Sequence, residues 1–162
     1  MKEVPGFIGK LSKLLDTIAG GVMVGAMTLV VLNIILRNFF KSPILGTYEY
    51  VGFLTALMIG LSLAYCAYQN FHIAVGFVVE KFSPRVQALI DAVMGLAAFV
   101  FLIFSTWHLG KYAHSMALTG EVSPTTRTPF YPFIYAVAFG LFVLCLVLLV
   151  QVIESIRKVT KE

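Results

Sequence analysis

Few residues of this 162-residue chain have a type and spacing that could support chemistry. A four-helix haem protein needs histidines facing each other inside the bundle. His72 lies between the second and third apolar segments, while His108 and His114 lie at the far end of the third. Their six-residue separation puts His108 and His114 on different faces of a helix. Cys66 and Cys145 fall inside apolar runs with no Cys or His at metal-ligand spacing, so both read as buried free thiols. Ser-His-Asp sets, acidic pairs and phosphate-cradling glycine loops are also missing from the pattern. The expectation is a protein that is not an enzyme and binds neither cofactor nor metal. Asp91 is the single acidic residue within an apolar segment, and an intramembrane carboxylate can couple ion movement to transport. Its place near Pro84 favours a structural role instead, paired with Arg85 or Lys81 or reaching headgroup water. His72 is expected to bond a loop carbonyl rather than sense pH.

The elements that must position these residues are long and apolar. The chain is 59% hydrophobic and 12% charged, with a mean hydropathy of +0.92. Soluble domains carry about 25% charged residues, so a single membrane domain spanning residues 1–162 is expected. Four segments have the ~20 apolar residues that a helix needs to cross a bilayer: 17–36, 50–69, 87–110 and 130–150. They are continuous rather than alternating, which excludes barrel strands. In lipid, a helix satisfies its own backbone. Lys2, Glu3, Lys10, Lys13 and Asp16 interrupt any early apolar run, so a cleaved signal is not expected.

Basic residues set the expected orientation. Lys2, Lys10, Lys13, Lys81, Arg85, Arg157, Lys158 and Lys161 fall on one side, against Arg37, Lys41, Lys111 and Arg127 on the other. The richer side, with both termini, is assigned to the cytoplasm. The net charge of +4 is small and implies no nucleic-acid partner. Residues 5–16 show an amphipathic pattern, with Phe7, Ile8, Leu11, Leu14, Leu15 and Ile18 opposite Lys10 and Lys13. Such a stretch suits a short interfacial helix on the membrane lipids, or else an inward extension of the first span. The fold expected is thus an all-α integral membrane protein, four transmembrane helices preceded by a short amphipathic helix.

Helices in lipid associate through small residues that allow close approach. Gly52, Ala56, Gly60 and Ala64 recur every four residues in the second span, and Gly21 and Gly25 form a GxxxG pair in the first. These stripes predict packing, within the chain or against a partner. A small exporter acting alone would need a carboxylate in its first span, and this one offers Thr17, Thr28 and Asn33 instead. A self-associating channel or exporter is the competing reading.

The stretch LNIILRNFFKSPILGTYEYVGFLTALMIGLSLAYCAYQNFHIAV resembles the small, DctQ-like membrane subunit of tripartite ATP-independent periplasmic (TRAP) transporters. In that family an Arg closes the first span, an acid opens the second and a His-Ile-x-Val element follows it. Arg37, Glu49 and His72-Ile73-Ala74-Val75 stand at those places. Pro129, Tyr131, Tyr135 and Gly140 look like the family's approach to the last span, so the resemblance covers about residues 10 to 150. The family often has a second acid where Tyr48 stands, and another where Gly76 stands. The resemblance implies a bacterial inner-membrane scaffold without cofactors. Its partners would be a large sodium-coupled membrane subunit and a periplasmic binding protein that delivers an organic acid. In that setting Arg37 and Glu49 are expected to bridge the first hairpin at the outer interface. Glu121 and Arg127 of the third loop are candidates to contact the periplasmic protein.

Overall fold

The computed structural model describes residues 6–69 and 84–161. It consists of four helices: α1 (Gly6–Phe39), α2 (Thr47–Tyr68), α3 (Pro84–Thr119) and α4 (Tyr131–Lys161). Each contains a stretch long and apolar enough to cross a membrane. The prolines sit where helices tolerate them. Pro84 is the first residue of α3 and Pro132 the second of α4, where a missing N–H breaks no intrahelical bond.

α1 is one uninterrupted helix of 34 residues, about 51 Å long at 1.5 Å per residue. The expected interfacial helix is not present as a separate element, because nothing between Gly6 and Phe39 breaks the hydrogen-bond ladder. Thr17 at the anticipated junction bonds back to the Lys13 carbonyl within the helix (2.9 Å). The apolar residues near this end divide between two surfaces. Ile8, Leu11 and Leu15 pack against the core, whereas Phe7, Leu14 and Ile18 face outward. α1 closes with Lys41 in the left-handed region (φ 51°), and the Ser42 N–H reaches back to the Leu36 carbonyl (3.3 Å). α3 runs to Thr119 and stops at Gly120, whose φ of 66° suits a residue without a side chain. Lys111 and His114 therefore belong to the helix rather than to the loop or its edge.

The helices pack in the row α1, α2, α4, α3, with α1 also touching α4. The last helix in the chain thus separates two helices that are consecutive in sequence. The core joins Leu15 and Ala19 of α1, Leu61, Ala64 and Ala67 of α2, and Val143, Leu144, Val147 and Leu148 of α4. Small residues let α2 and α4 meet backbone to backbone. A Cβ on Gly140 would run into the Gly60 carbonyl oxygen, and one on Gly60 would lie 3.1 Å from the Val137 Cα. Gln151 ties the same pair together by donating to the Ala67 carbonyl (2.7 Å). At the opposite end Phe53 stacks on Phe133 at 4.5 Å and meets Phe130 edge-on at 5.4 Å.

The predicted stripes are used only in part. Gly60 and Ala64 are buried, whereas Gly52 and Ala56 are exposed. Gly21 and Gly25 are exposed too, and a Cβ on either would meet nothing within 4 Å.

Candidate functional site

Two loops meet at one end of the row: 40–46, joining α1 to α2, and 120–130, joining α3 to α4. The first is folded back on α1 by Asn33, whose Oδ1 accepts the Ile44 N–H (2.8 Å). Thr47 donates to the Ile44 carbonyl (2.8 Å) and opens α2 after Gly46, which has φ 74°. Glycine is required at 46 on two counts. Its φ is positive, and a Cβ there would collide with the Thr126 methyl of the other loop. Replacing Asn33 by leucine should cost about 1 kcal/mol, because the Ile44 N–H loses its acceptor. A fall in the thermal midpoint of the detergent-solubilised protein would register it.

Glu49 lies in the first turn of α2, where a carboxylate also suits the positive end of the helix. Its side chain holds the second loop. Oε2 accepts from the Ser123 hydroxyl (2.7 Å), the Thr126 N–H (3.0 Å) and the Thr126 hydroxyl (2.9 Å), and Oε1 accepts from the Thr125 N–H (2.9 Å). The loop presents these donors because it is itself folded. Val122 and Pro129 form an antiparallel bridge, and the Ser123 N–H bonds the Thr128 carbonyl (2.9 Å). Arg127 takes the left-handed conformation (φ 53°), which lets its N–H reach the Ser123 carbonyl (3.1 Å). Ser123 is 1% exposed.

Two carboxylate oxygens offer about four acceptor sites; three donors converge on Oε2 and a fourth reaches Oε1. The carboxylate is thus a structural tie between α2 and the second loop. Among the described residues no cluster of His, Cys, Asp or Glu could hold a metal ion.

The sequence candidates separate accordingly. Glu49 is joined to Ser123, Thr125 and Thr126 rather than to Arg37, and no Arg37–Glu49 ion pair forms among the described residues. Arg37 is exposed near the end of α1, and Glu121 and Arg127 are exposed on the second loop. Arg85 and Asp91 lie on α3. His72 falls outside the described residues, as does the His-Ile-x-Val element. The hydroxyl cluster of the second loop went unremarked in the sequence pattern. Its signal was there in the run Ser123-Pro124-Thr125-Thr126-Arg127-Thr128, unusually rich in donors for an apolar chain.

A family model described as Tripartite ATP-independent periplasmic transporters, DctQ component, matches residues 26–158. The match begins within α1, takes in both loops and ends within α4. No curated protein matches the chain.

Proposed function

The chain belongs to the DctQ component family of TRAP transporters, and from that premise we propose that it scaffolds a large sodium-coupled membrane subunit. In this reading the two together take up an organic acid delivered by a periplasmic binding protein. The chain is a transport subunit and a multi-pass inner-membrane protein.

The observation that carries the scaffold reading is the open small-residue surface on α1 and α2. The two helices run antiparallel, and a Cβ on Gly9 would lie 3.0 Å from the Tyr68 ring. Counting inward from that contact puts Gly21 level with Ala56 and Gly25 level with Gly52. All four are exposed, and among the described residues no side chain comes within 4 Å of a Cβ placed on any of the three glycines. Around them the same face of α1 presents Ile18, Thr28, Leu32 and Ile35, also exposed. A flat apolar surface with glycines is what a second helix packs against in lipid. We assign it to the large subunit.

The basic-residue bias supports cytoplasmic termini. That orientation turns the Glu49 end toward the periplasm and leaves Arg37, Glu121 and Arg127 available to the binding protein.

The test is to tag the chain, extract it gently from its native membrane and identify what co-purifies. One large multi-span protein in near-equal amount is expected. Replacing both Gly21 and Gly25 by leucine should lower its recovery by about tenfold while the small subunit stays folded, since the new side chains enter the partner and not this chain. Purification alone or as a homo-oligomer, with self-contained transport, would overturn the scaffold reading in favour of a small channel or exporter.

A further inference from the structure

An apolar groove of about 690 Å³ runs between α3 and α4 on the side away from α2. Its α3 wall follows one helix face from Phe99 through Trp107 to Lys111 and His114, and its α4 wall runs from Phe142 to Leu149. Lys111 and His114 lie inside the stretch of α3 that is long and apolar enough to span the bilayer. A cation in such a stretch is costly unless it is paired or reaches the interface. The Lys111 ammonium sits 5.3 Å from the centre of the Trp107 ring, an attraction that offsets part of the cost. No carboxylate forms an ion pair with it among the described residues.

We propose that this groove binds a phospholipid with a net negative headgroup, its phosphate held at Lys111 and His114 and an acyl chain laid along the groove. Three features point to that occupant. The groove is charged at one end and hydrocarbon along the rest, matching the polarity of a lipid. From Lys111 to Phe99 is twelve residues, about 18 Å of helix, against a hydrocarbon leaflet of ~15 Å. Gly110 leaves the charged end wide, since a Cβ there would meet nothing within 4 Å. An apolar helix in the same place would bury the ammonium against hydrocarbon, with no counter-charge. A zwitterionic headgroup would bring its own ammonium to the lysine. In the orientation proposed above the site opens to the outer leaflet. The inference needs α3 to span the bilayer but does not depend on the large subunit, so the two proposals fail separately.

The chain has one tryptophan, Trp107, which lines the groove. The full-length protein is reconstituted in phosphatidylcholine vesicles containing a rising fraction of acyl-brominated phosphatidylglycerol or acyl-brominated phosphatidylcholine, and Trp107 fluorescence is followed. Half-maximal quenching should need about fivefold less brominated phosphatidylglycerol, in line with one basic group at a lipid phosphate. Lys111→Gln should bring the two lipids to equal potency, with helix content unchanged by circular dichroism. Equal potency in the unmodified protein would overturn the proposal, as would a preference untouched by Lys111→Gln. Failure of both lipids to quench would also overturn it, by showing that protein covers the groove. If inorganic phosphate abolished the preference at matched ionic strength, the site would belong to a free anion instead.

Discussion

Replacing Gly140 by leucine should dismantle the α2–α4 crossing, and with it the folded bundle. The reason is what the new side chain meets. A Cβ at 140 runs into the carbonyl oxygen of Gly60 and lies 2.8 Å from its carbonyl carbon and 3.3 Å from the Leu61 Cα, all of them backbone. A side chain can rotate away, but a helix backbone has to move as a unit. Two opposed effects decide the outcome of the smaller substitution, Gly140→Ala. Helix propensity favours alanine by about 1 kcal/mol. Overpacking a tight contact costs about 1–3 kcal/mol, and contact with rigid backbone belongs at the upper end, so a net loss of about 1–2 kcal/mol is expected. Gly60→Ala should cost less, because its closest clash, at 2.9 Å, is with the Val137 Cγ1, which can shift. At Gly25 the propensity gain is unopposed, and alanine there should be neutral or slightly stabilising in the isolated subunit. Thermal retention of monomer on size exclusion, after extraction in mild detergent, would rank the series. A Gly25→Ala loss as large as that at Gly140, or a Gly140→Leu protein that keeps its midpoint, would show that the crossing does not govern stability.

The crossing matters this much because of where α4 sits. It lies between α2 and α3 and touches all three other helices. A hydrophobic driving force between helices is weak in lipid, so the row depends on close fit and on a few polar ties, such as Gln151 to the Ala67 carbonyl. Forcing α2 from α4 would also part Phe53 from Phe133 and the Glu49 carboxylate from its loop.

The four spans were legible because a twenty-residue apolar run admits few structures in a bilayer. Their ends were less so. α3 continues to Thr119 although the apolar run ends at Gly110 and Lys111 reads as a loop residue, because polar side chains do not stop a helix and the stop comes only at Gly120. α1 reads as two elements by its amphipathic face, yet that face is divided between the core and the outer surface. Small residues every fourth position showed where close packing is possible but not where it is used. Gly60 and Ala64 are covered by α4, whereas Gly52 and Ala56 on the same stripe stay open. The clearest miss is the partner of Glu49. Arg37 closes the first span across one short loop from Glu49 and is an obvious choice. The actual partners lie 74 to 77 residues away, and they prevail because a folded loop offers four donors at once, while one exposed ion pair is worth little. Only the meeting of the two loops reveals that.

Glu49→Gln should therefore release the second loop, even though it preserves shape and nearly preserves volume. An amide has one acceptor oxygen and one donor nitrogen. If its oxygen takes the place of Oε2, its NH₂ faces the Thr125 N–H; if the amide is reversed, the NH₂ confronts Thr126 and Ser123. Either way donors meet donors. Glu49→Ala removes all four bonds and should be at least as severe. Amide exchange at Thr125 and Thr126 should quicken on the order of tenfold in both variants. Trypsin offers a second reading, since Arg127 is exposed but its N–H is tied to the Ser123 carbonyl. Cleavage after Arg127 should accelerate with Glu49→Gln, more mildly with Ser123→Ala, and not at all with Arg37→Ala. In right-side-out vesicles this cleavage also reports orientation, because it requires the Glu49 end to face outward. Protection unchanged in Glu49→Gln would mean that the Val122–Pro129 bridge alone holds the loop. Loosening by Arg37→Ala equal to that by Glu49→Gln would reinstate the bridge across the first hairpin. With the carboxylate as anchor, the loop carrying Glu121 and Arg127 is tied to α2 by four hydrogen bonds, and preorganisation of that kind would lower the ordering cost of any docking there.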